Sequence, residues 1–305
     1  MPSLLVIGGT GFFGKSILDA YKQGLLQQFK ISKIIVLARN TDKFRIHFPE
    51  LITNGVELVS GDITQISSIP QSDYIIHAAA ITNMNEYHST QDKSAKDNIE
   101  NAVSNFCKIA INYNIKSKIL YCSSGIVYGK QPNDLEKISE DFKFQDNLDN
   151  LSNEKRAYCI GKRYAEGEFI KLGKLGLNVS IARCFSFKGK YLPKNQHYAY
   201  GNFIEKAEKG EDIVVTANGL VYRSYMESSE LVNGLFFIME QSRRNCPIYN
   251  LGSDEVIEIH TLAEKIANKY KVGVQFANYD MSVIDRYIPN IDKFKALINV
   301  KSKKI

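Results

Sequence analysis

Cysteine is sparse: Cys107, Cys122, Cys159, Cys184 and Cys246 are all that the 305 residues hold. The number is odd and no two have CxxC spacing, which argues against a disulfide framework or a zinc site and for a reducing compartment. The five histidines form no HxxxH or HxH pair, so a metal centre has little support. No apolar run approaches the ~20 residues of a membrane span. The N-terminus, "MPSLLVIGG", has no basic segment and runs straight into glycines, so it does not read as a signal peptide. A cytoplasmic protein without a membrane partner is expected.

Strongly one-signed charge is lacking too. The net charge is +6 with a pI near 8.8, and the basic residues are spread out apart from the tail "VKSKKI". Such a spread suits an anionic small molecule at least as well as nucleic acid, and no nucleic-acid partner is expected. With 44% hydrophobic and 24% charged residues, the chain fits one large domain or two modest ones.

What the chain has is rhythm. "SLLVIGG", "KIIVLAR", "VELVSGD", "YIIHAAA", "KILYCSS" and "NVSIARC" are short apolar runs rich in Ile and Val. Segments of helical spacing lie between several of them: Lys15 to Lys30, Lys93 to Asn114 and Ala157 to Leu172. This alternation predicts an α/β fold, a Rossmann-type doubly wound parallel sheet covered on both faces. The rhythm weakens after Phe185. "DIVVTANGLVYRSYM" reads as a hairpin turning at Asn218-Gly219. "SSELVNGLFFIMEQS" reads as a capped helix, and a second helix is predicted with its cap at Thr261 and Glu264 three positions on. The expected division is a dinucleotide-binding domain, 1–184, with 224–245 packing back onto it, and a smaller mixed α/β substrate domain, 185–305.

"VIGGTGFFGKS" places Gly8, Gly11 and Gly14 at three-residue spacing after an apolar strand and before a helix. A dinucleotide needs such a tight turn, close backbone approach to its pyrophosphate, and a helix N-terminus behind the phosphates. Phe12 and Phe13 belong to the same loop. At the end of the second strand an acid would favour NAD(H), but "VLARN" has Ala38 there, followed by Arg39. An arginine can pair with a 2′-phosphate, so NADP(H) is favoured over NAD(H); the alternative is a surface cation. Asp62, followed by Ile63 in "SGDIT", either meets the adenine or caps a turn. "HAAA" brings small residues, Ala78 and Ala79, to the cofactor side of the fourth strand, and His77 reads as packed.

"RAYCIGKRYAE" sets Tyr158 and Lys162 four apart on one helix face. A free tyrosine has a pKa near ~10; a nearby ammonium would lower it, and Tyr158 could then exchange a proton at a carbonyl or alcohol oxygen while hydride moves at carbon. Ser124, at the end of "YCSS", would hydrogen-bond the same oxygen. Cys122 and Cys159 lie near the site and read as packing. Glu140 and Asp141 read as solvated. Tyr191, His197, Tyr198 and Tyr200 form an aromatic group that either stacks on a ring or packs the loop.

On "GGTGFFG", "GDI", "HAAA", "DNIENA", "CSSGIVYG", "YCIGKRYAE", "ARCFSF", "GNFI", "YRSYMESSELVNGL" and "YNLGS", the chain resembles an extended short-chain dehydrogenase/reductase of the nucleotide-sugar epimerase/dehydratase/reductase family. The resemblance implies a nucleotide-sugar substrate and a homodimer joined through the helices of "DNIENA" and "YCIGKRYAE". It matches Ser124, Tyr158 and Lys162 to the catalytic triad and Asn98 to the family's helix asparagine. It places Thr82, Asn202 and Arg223 at the substrate, Arg223 against a diphosphate. Ser186 stands where the family often has an asparagine.

The same resemblance narrows the reaction. In 4,6-dehydratases an Asp-Glu pair follows the triad hydroxyl, and in decarboxylases a glutamate stands at the Ile126 position. Here Gly125 and Ile126 follow Ser124, and neither titrates. NADPH-dependent reduction of a 4-keto-6-deoxy sugar nucleotide is therefore the first expectation, and an NAD-dependent 4-epimerase the second. A dinucleotide-binding sensor without catalysis is the alternative from a different class.

Overall fold

The structure, a computed structural model, describes residues 2–79, 95–113, 115–194, 198–278 and 280–302. Up to Cys184 it contains β1 (Ser3–Ile7), α1 (Phe12–Lys22), β2 (Lys33–Ala38), α2 (Thr41–His47), β3 (Val56–Ser60), β4 (Tyr74–His77), α3 (Ala95–Asn112), β5 (Lys118–Ser124), α4 (Asn153–Lys174) and β6 (Asn178–Cys184). Beyond it follow β7 (Phe187–Lys188), α5 (Ala199–Glu208), β8 (Ile213–Val215), β9 (Gly219–Arg223), β10 (Met226–Glu227), α6 (Ser228–Glu240), β11 (Ile248–Leu251), β12 (Ile257–Glu258), α7 (Ile259–Tyr270), β13 (Val274–Phe276), β14 (Asp280–Tyr287) and α8 (Asp292–Ser302).

Seven strands form one parallel sheet in the order β11-β6-β5-β4-β1-β2-β3. The chain winds outward from β1 in one direction to β3, then from β4 in the other to β11. The reversal lies between β1 and β4, and parallel sheets of this kind open a crevice beyond the C-terminal strand ends there. The apolar runs are unbroken because both faces are covered. Leu4 and Val6 of β1 face a core shared with α1 and α6, and Leu5 and Ile7 face one shared with α3 and α4. All four are essentially fully buried, worth roughly 1.5–3 kcal/mol each.

Three expectations are corrected. The helix foreseen from Lys15 to Lys30 starts at Phe12 and ends at Lys22, where Gly24 turns the chain with a φ of +76°. The Asn218-Gly219 hairpin does not form: β8 pairs in parallel with β13, and β9 lies between β12 and β14. Glycine is required at 219 by packing, since a Cβ would stand 2.4 Å from the Val283 carbonyl oxygen. The cap of α7 is Glu258, whose carboxyl accepts from the His260 and Thr261 amides, rather than Thr261. The helix after Tyr225 does carry a cap, the reciprocal pair Glu227 and Glu230.

Candidate active site

Ile7, His77 and Tyr121 stand in one row of the sheet. The glycine loop, Ala78–Ala79 and Ser124 therefore leave it at the same edge. Ser124 ends β5 and caps a short 3-10 turn, its Oγ accepting the Ile126 N–H at 3.3 Å. α4 starts at a serine cap, Ser152, and carries Tyr158 and Lys162 one turn apart. Gly161 admits α3: a Cβ there would meet Lys96 Cα at 3.1 Å and Ile99 at 3.3 Å. This sets the turn bearing Asn98 against the turn bearing Lys162.

Lys162 is 2% exposed and donates from Nζ to the Cys122 carbonyl at 2.7 Å. Its ammonium lies 4.8 Å from the Tyr121 ring centre and 5.6 Å from that of Tyr158. Desolvation pushes its pKa down to about 8. The sequence leads one to expect Lys162 to lower the Tyr158 pKa. The structure shows the reverse direction: burial, then Tyr198 and Tyr287, raise that phenol well above its ordinary value. The reason is burial, which disfavours the charged phenolate.

On the cofactor side, Gly8 has a φ of +81°, and a Cβ there would stand 2.7 Å from Ala79 Cα. A Cβ at Gly14 would stand 2.0 Å from the Gly9 oxygen. Phe12 and Phe13 pack with Phe187, the Phe13–Phe187 pair edge-on at 5.4 Å. Arg39 is exposed just past β2. Of the two readings of Asp62, the structure displays the turn: Oδ1 accepts the Thr64 amide and hydroxyl, both at 2.9 Å. Ile63 is buried beside it.

The substrate candidates are more dispersed. Ser186 gives its carbonyl to the Met226 amide at 3.1 Å. Asn202 lies half-buried on α5. Arg223 ends β9 with its guanidinium on Asp285 at 2.5 Å and on the Tyr222 and Asp285 carbonyls. Thr82 and His197 lie outside the described residues. Tyr191 donates to Asp19 at 3.0 Å and packs edge-on against Phe48, so it pins its loop to α1.

The profile of the NAD dependent epimerase/dehydratase family matches residues 4–252. The chain belongs to that family. UDP-glucuronic acid decarboxylase 1 of Danio rerio is 26% identical over 97% of this chain and 68% of its own length. The dTDP-4-dehydro-6-deoxy-D-allose reductase of a Streptomyces species is 22% identical, over 86% and 79%. Among solved structures, UDP-N-acetylglucosamine 4-epimerase from Methanobrevibacter ruminantium M1 superposes with a TM-score of 0.75 at 19% identity, covering 97% of this chain and 91% of that one. At that identity the likeness shows the fold alone.

For a member of this epimerase/dehydratase family, the glycine loop fits a dinucleotide. Gly11 caps α1 without a side-chain hydrogen bond, and no acid lies in the first turn. A Cβ at Gly11 would meet only the Gly8 oxygen, at 3.5 Å, so the backbone there is open to a pyrophosphate.

Sequence reasoning missed a buried polar network behind the site. Ser123 donates to Glu166 at 2.6 Å, and Arg183 holds the same carboxyl through Nε at 3.0 Å and Nη2 at 2.8 Å. Arg183 Nη1 donates to the Tyr128 hydroxyl at 2.9 Å, which donates to Asn250 at 2.7 Å. Glu140, expected to be solvated, accepts the Asn250 amide at 2.7 Å. An arginine inside the apolar run "NVSIARC" was the available signal. Tyr287 was missed as well: its hydroxyl lies 3.3 Å from Ser124 Oγ.

Proposed function

We propose that the protein reduces a nucleotide-activated 4-keto-6-deoxy sugar with NADPH, Tyr158 giving the proton to the C4 oxygen. Tyr158 carries the reading. It stands one turn from Lys162 on α4, and a phenol, ordinarily near ~10, is protonated at neutral pH and can give its proton to the oxygen as hydride arrives. Ser124 stabilises the same oxygen, and Lys162 with Asn98 supports the site from α4 and α3. When bound, the nicotinamide supplies hydride. Gly8, Gly11 and Gly14, with Phe12, Phe13, Ile63, Ala78 and Ala79, would line its binding loop, and Arg39 would receive a 2′-phosphate. NAD(H) is the alternative. Arg223 would turn towards the substrate diphosphate from its pairing with Asp285, and Thr82, Ser186 and Asn202 complete the proposed sugar-nucleotide side. The division at 184/185, with 224–245 packed back, belongs to the same reading.

Dehydration is disfavoured on space as well as chemistry. A Cβ at Gly125 would stand 2.6 Å from the Phe185 ring, leaving no room for an acid. Decarboxylases are among the relatives, but Ile126 offers no titrating group. The second enzyme reading is a 4-epimerase, because the same tyrosine chemistry serves both directions. A homodimer through α3 and α4 is supported by Ile111, Ile160 and Tyr164, which are 46%, 37% and 37% exposed.

The test is turnover on a panel of nucleotide sugars. Stoichiometric NADPH consumption with a 4-keto-6-deoxy sugar nucleotide is expected. Isomerisation of a UDP-hexose without net cofactor use would establish the epimerase instead. Tyr158→Phe is expected to reduce turnover by about 10²–10⁴-fold and leave cofactor affinity intact; unchanged turnover would refute the assignment of the acid.

A further inference from the structure

We infer that Tyr287 is a positioning residue of the active site: by donating its hydroxyl proton to Ser124 Oγ, it directs the serine proton outward to the substrate oxygen. This rests on the reading of Ser124 as the hydroxyl that meets that oxygen.

A serine hydroxyl has one proton and two lone pairs. Ser124 Oγ accepts the Ile126 N–H at 3.3 Å and lies 3.3 Å from the Tyr287 hydroxyl. A phenol is a stronger hydrogen-bond donor than an aliphatic hydroxyl, so the Tyr287 proton points at Ser124. Both serine lone pairs are then occupied and its proton is free for the substrate. Polarisation along the chain from phenol to serine to oxygen strengthens the last bond. Catalytic hydrogen bonds are often this long before substrate arrives and tighten in the complex.

The surrounding structure holds Tyr287 in place. Its ring packs on Phe185 with centroids 4.7 Å apart, and Phe185 lies against Gly125, the residue after Ser124. The Ile288 amide donates to Gln131 at 2.8 Å, and the Ile288 carbonyl accepts from Ile138 at 2.9 Å. The strand that carries Tyr287 is thus tied to the segment that follows the catalytic turn.

The test is a double-mutant cycle. Wild type, Tyr287→Phe, Ser124→Ala and the double variant are compared for kcat, KM and NADPH affinity on the nucleotide sugar that the wild type turns over. Phenylalanine keeps the ring contact, and NADPH affinity verifies the fold. Y287F is expected to lose roughly tenfold in kcat, the scale of one hydrogen bond, with KM and NADPH affinity within about twofold. The double variant is expected to be no slower than S124A. Wild-type kcat in Y287F, or an additive loss in the double variant, overturns the inference. A wild type inactive on every nucleotide sugar fails at the first step and overturns the functional reading, and this inference with it.

Discussion

Lys162 donates to the Cys122 carbonyl across 2.7 Å, and this ties α4 to the strand that ends in Ser124. The bond is made by an ammonium buried to 2% exposure whose pKa has fallen to about 8. The pH–rate profile for reduction is therefore expected to decline as pH rises through about 8. Lys162→Met should be slower at every pH and lack that limb. Stability should move the other way. Below about 8 the ammonium is charged in both native and unfolded chains, and its burial costs the fold on the order of 3 kcal/mol. Between about 8 and the unfolded value the native chain gives up the proton first, so the cost is relieved. K162M should melt above wild type at neutral pH, less the lost hydrogen bond, with the gap closing in alkali. A gap that widened with pH would contradict the burial argument.

Cofactor choice turns on two adjacent positions. Ala38 ends β2, and Arg39 stands exposed after it. Ala38→Asp with Arg39→Asn places an acceptor for ribose hydroxyls and removes the cation for a 2′-phosphate. The ratio of kcat/KM for NADPH over NADH should drop by at least about tenfold, the scale of one charge-assisted hydrogen bond. A ratio that did not move would show that Arg39 is only a surface cation.

The first six strands were legible because a parallel sheet covered on both faces demands continuous apolar runs. The membership of β11 was not, since strand order is set by tertiary packing. Asn218-Gly219 misled for a related reason. The local signal of a tight turn and that of a glycine under a neighbouring strand are the same, and only the position of Val283 distinguishes them. That Ser124 ends a strand and that Tyr158 and Lys162 share one helix could be read from spacing. Tyr287 is 163 residues from Ser124, and no local pattern announces that contact.

The Glu166–Arg183 pair is 3% and 6% exposed and joins α4 to β6 beneath the site. Removing one partner strands the other charge. Glu166→Gln is expected to cost roughly 3–5 kcal/mol, while Glu166→Leu with Arg183→Met should cost less than either single change. Chemical denaturation of E166Q, E166L, R183M and the double variant decides this. Ser123 loses its acceptor in E166L, so a drop in kcat beyond the loss of folded protein is expected there too.

Gly125 is a steric requirement as well as the absence of an acid. The Phe185 ring lies 2.6 Å from its missing Cβ, and that ring also packs on Tyr287 with centroids 4.7 Å apart. Gly125→Ala should destabilise by about 1–3 kcal/mol, the usual cost of overpacking, and slow turnover by shifting Ser124. Gly125→Ala with Phe185→Leu should recover most of the stability. If G125A alone melts like wild type, Phe185 is free to move and the close packing under the site is not a constraint.

His77 is fully buried among Phe106, Tyr121 and Phe169, and neither ring nitrogen has a hydrogen-bond partner among the described residues. Desolvation and the Lys162 charge push its pKa down to about 3. The native ring stays neutral where the unfolded one, near ~6.5, binds a proton. The unfolded chain then holds more protons between those values, so stability falls as pH drops below about 6.5. The loss reaches about 2 kcal/mol near pH ~5. His77→Leu removes both that dependence and two unsatisfied polar atoms, so the variant should be more stable by about 1–3 kcal/mol at neutral pH, and by more in acid. Turnover should be unchanged, because His77 packs beneath the sheet edge and offers no group to the substrate. Melting temperatures of wild type and H77L from neutral to mildly acid pH check this: parallel curves would place the acid sensitivity elsewhere, and lost turnover would give His77 a part in the chemistry.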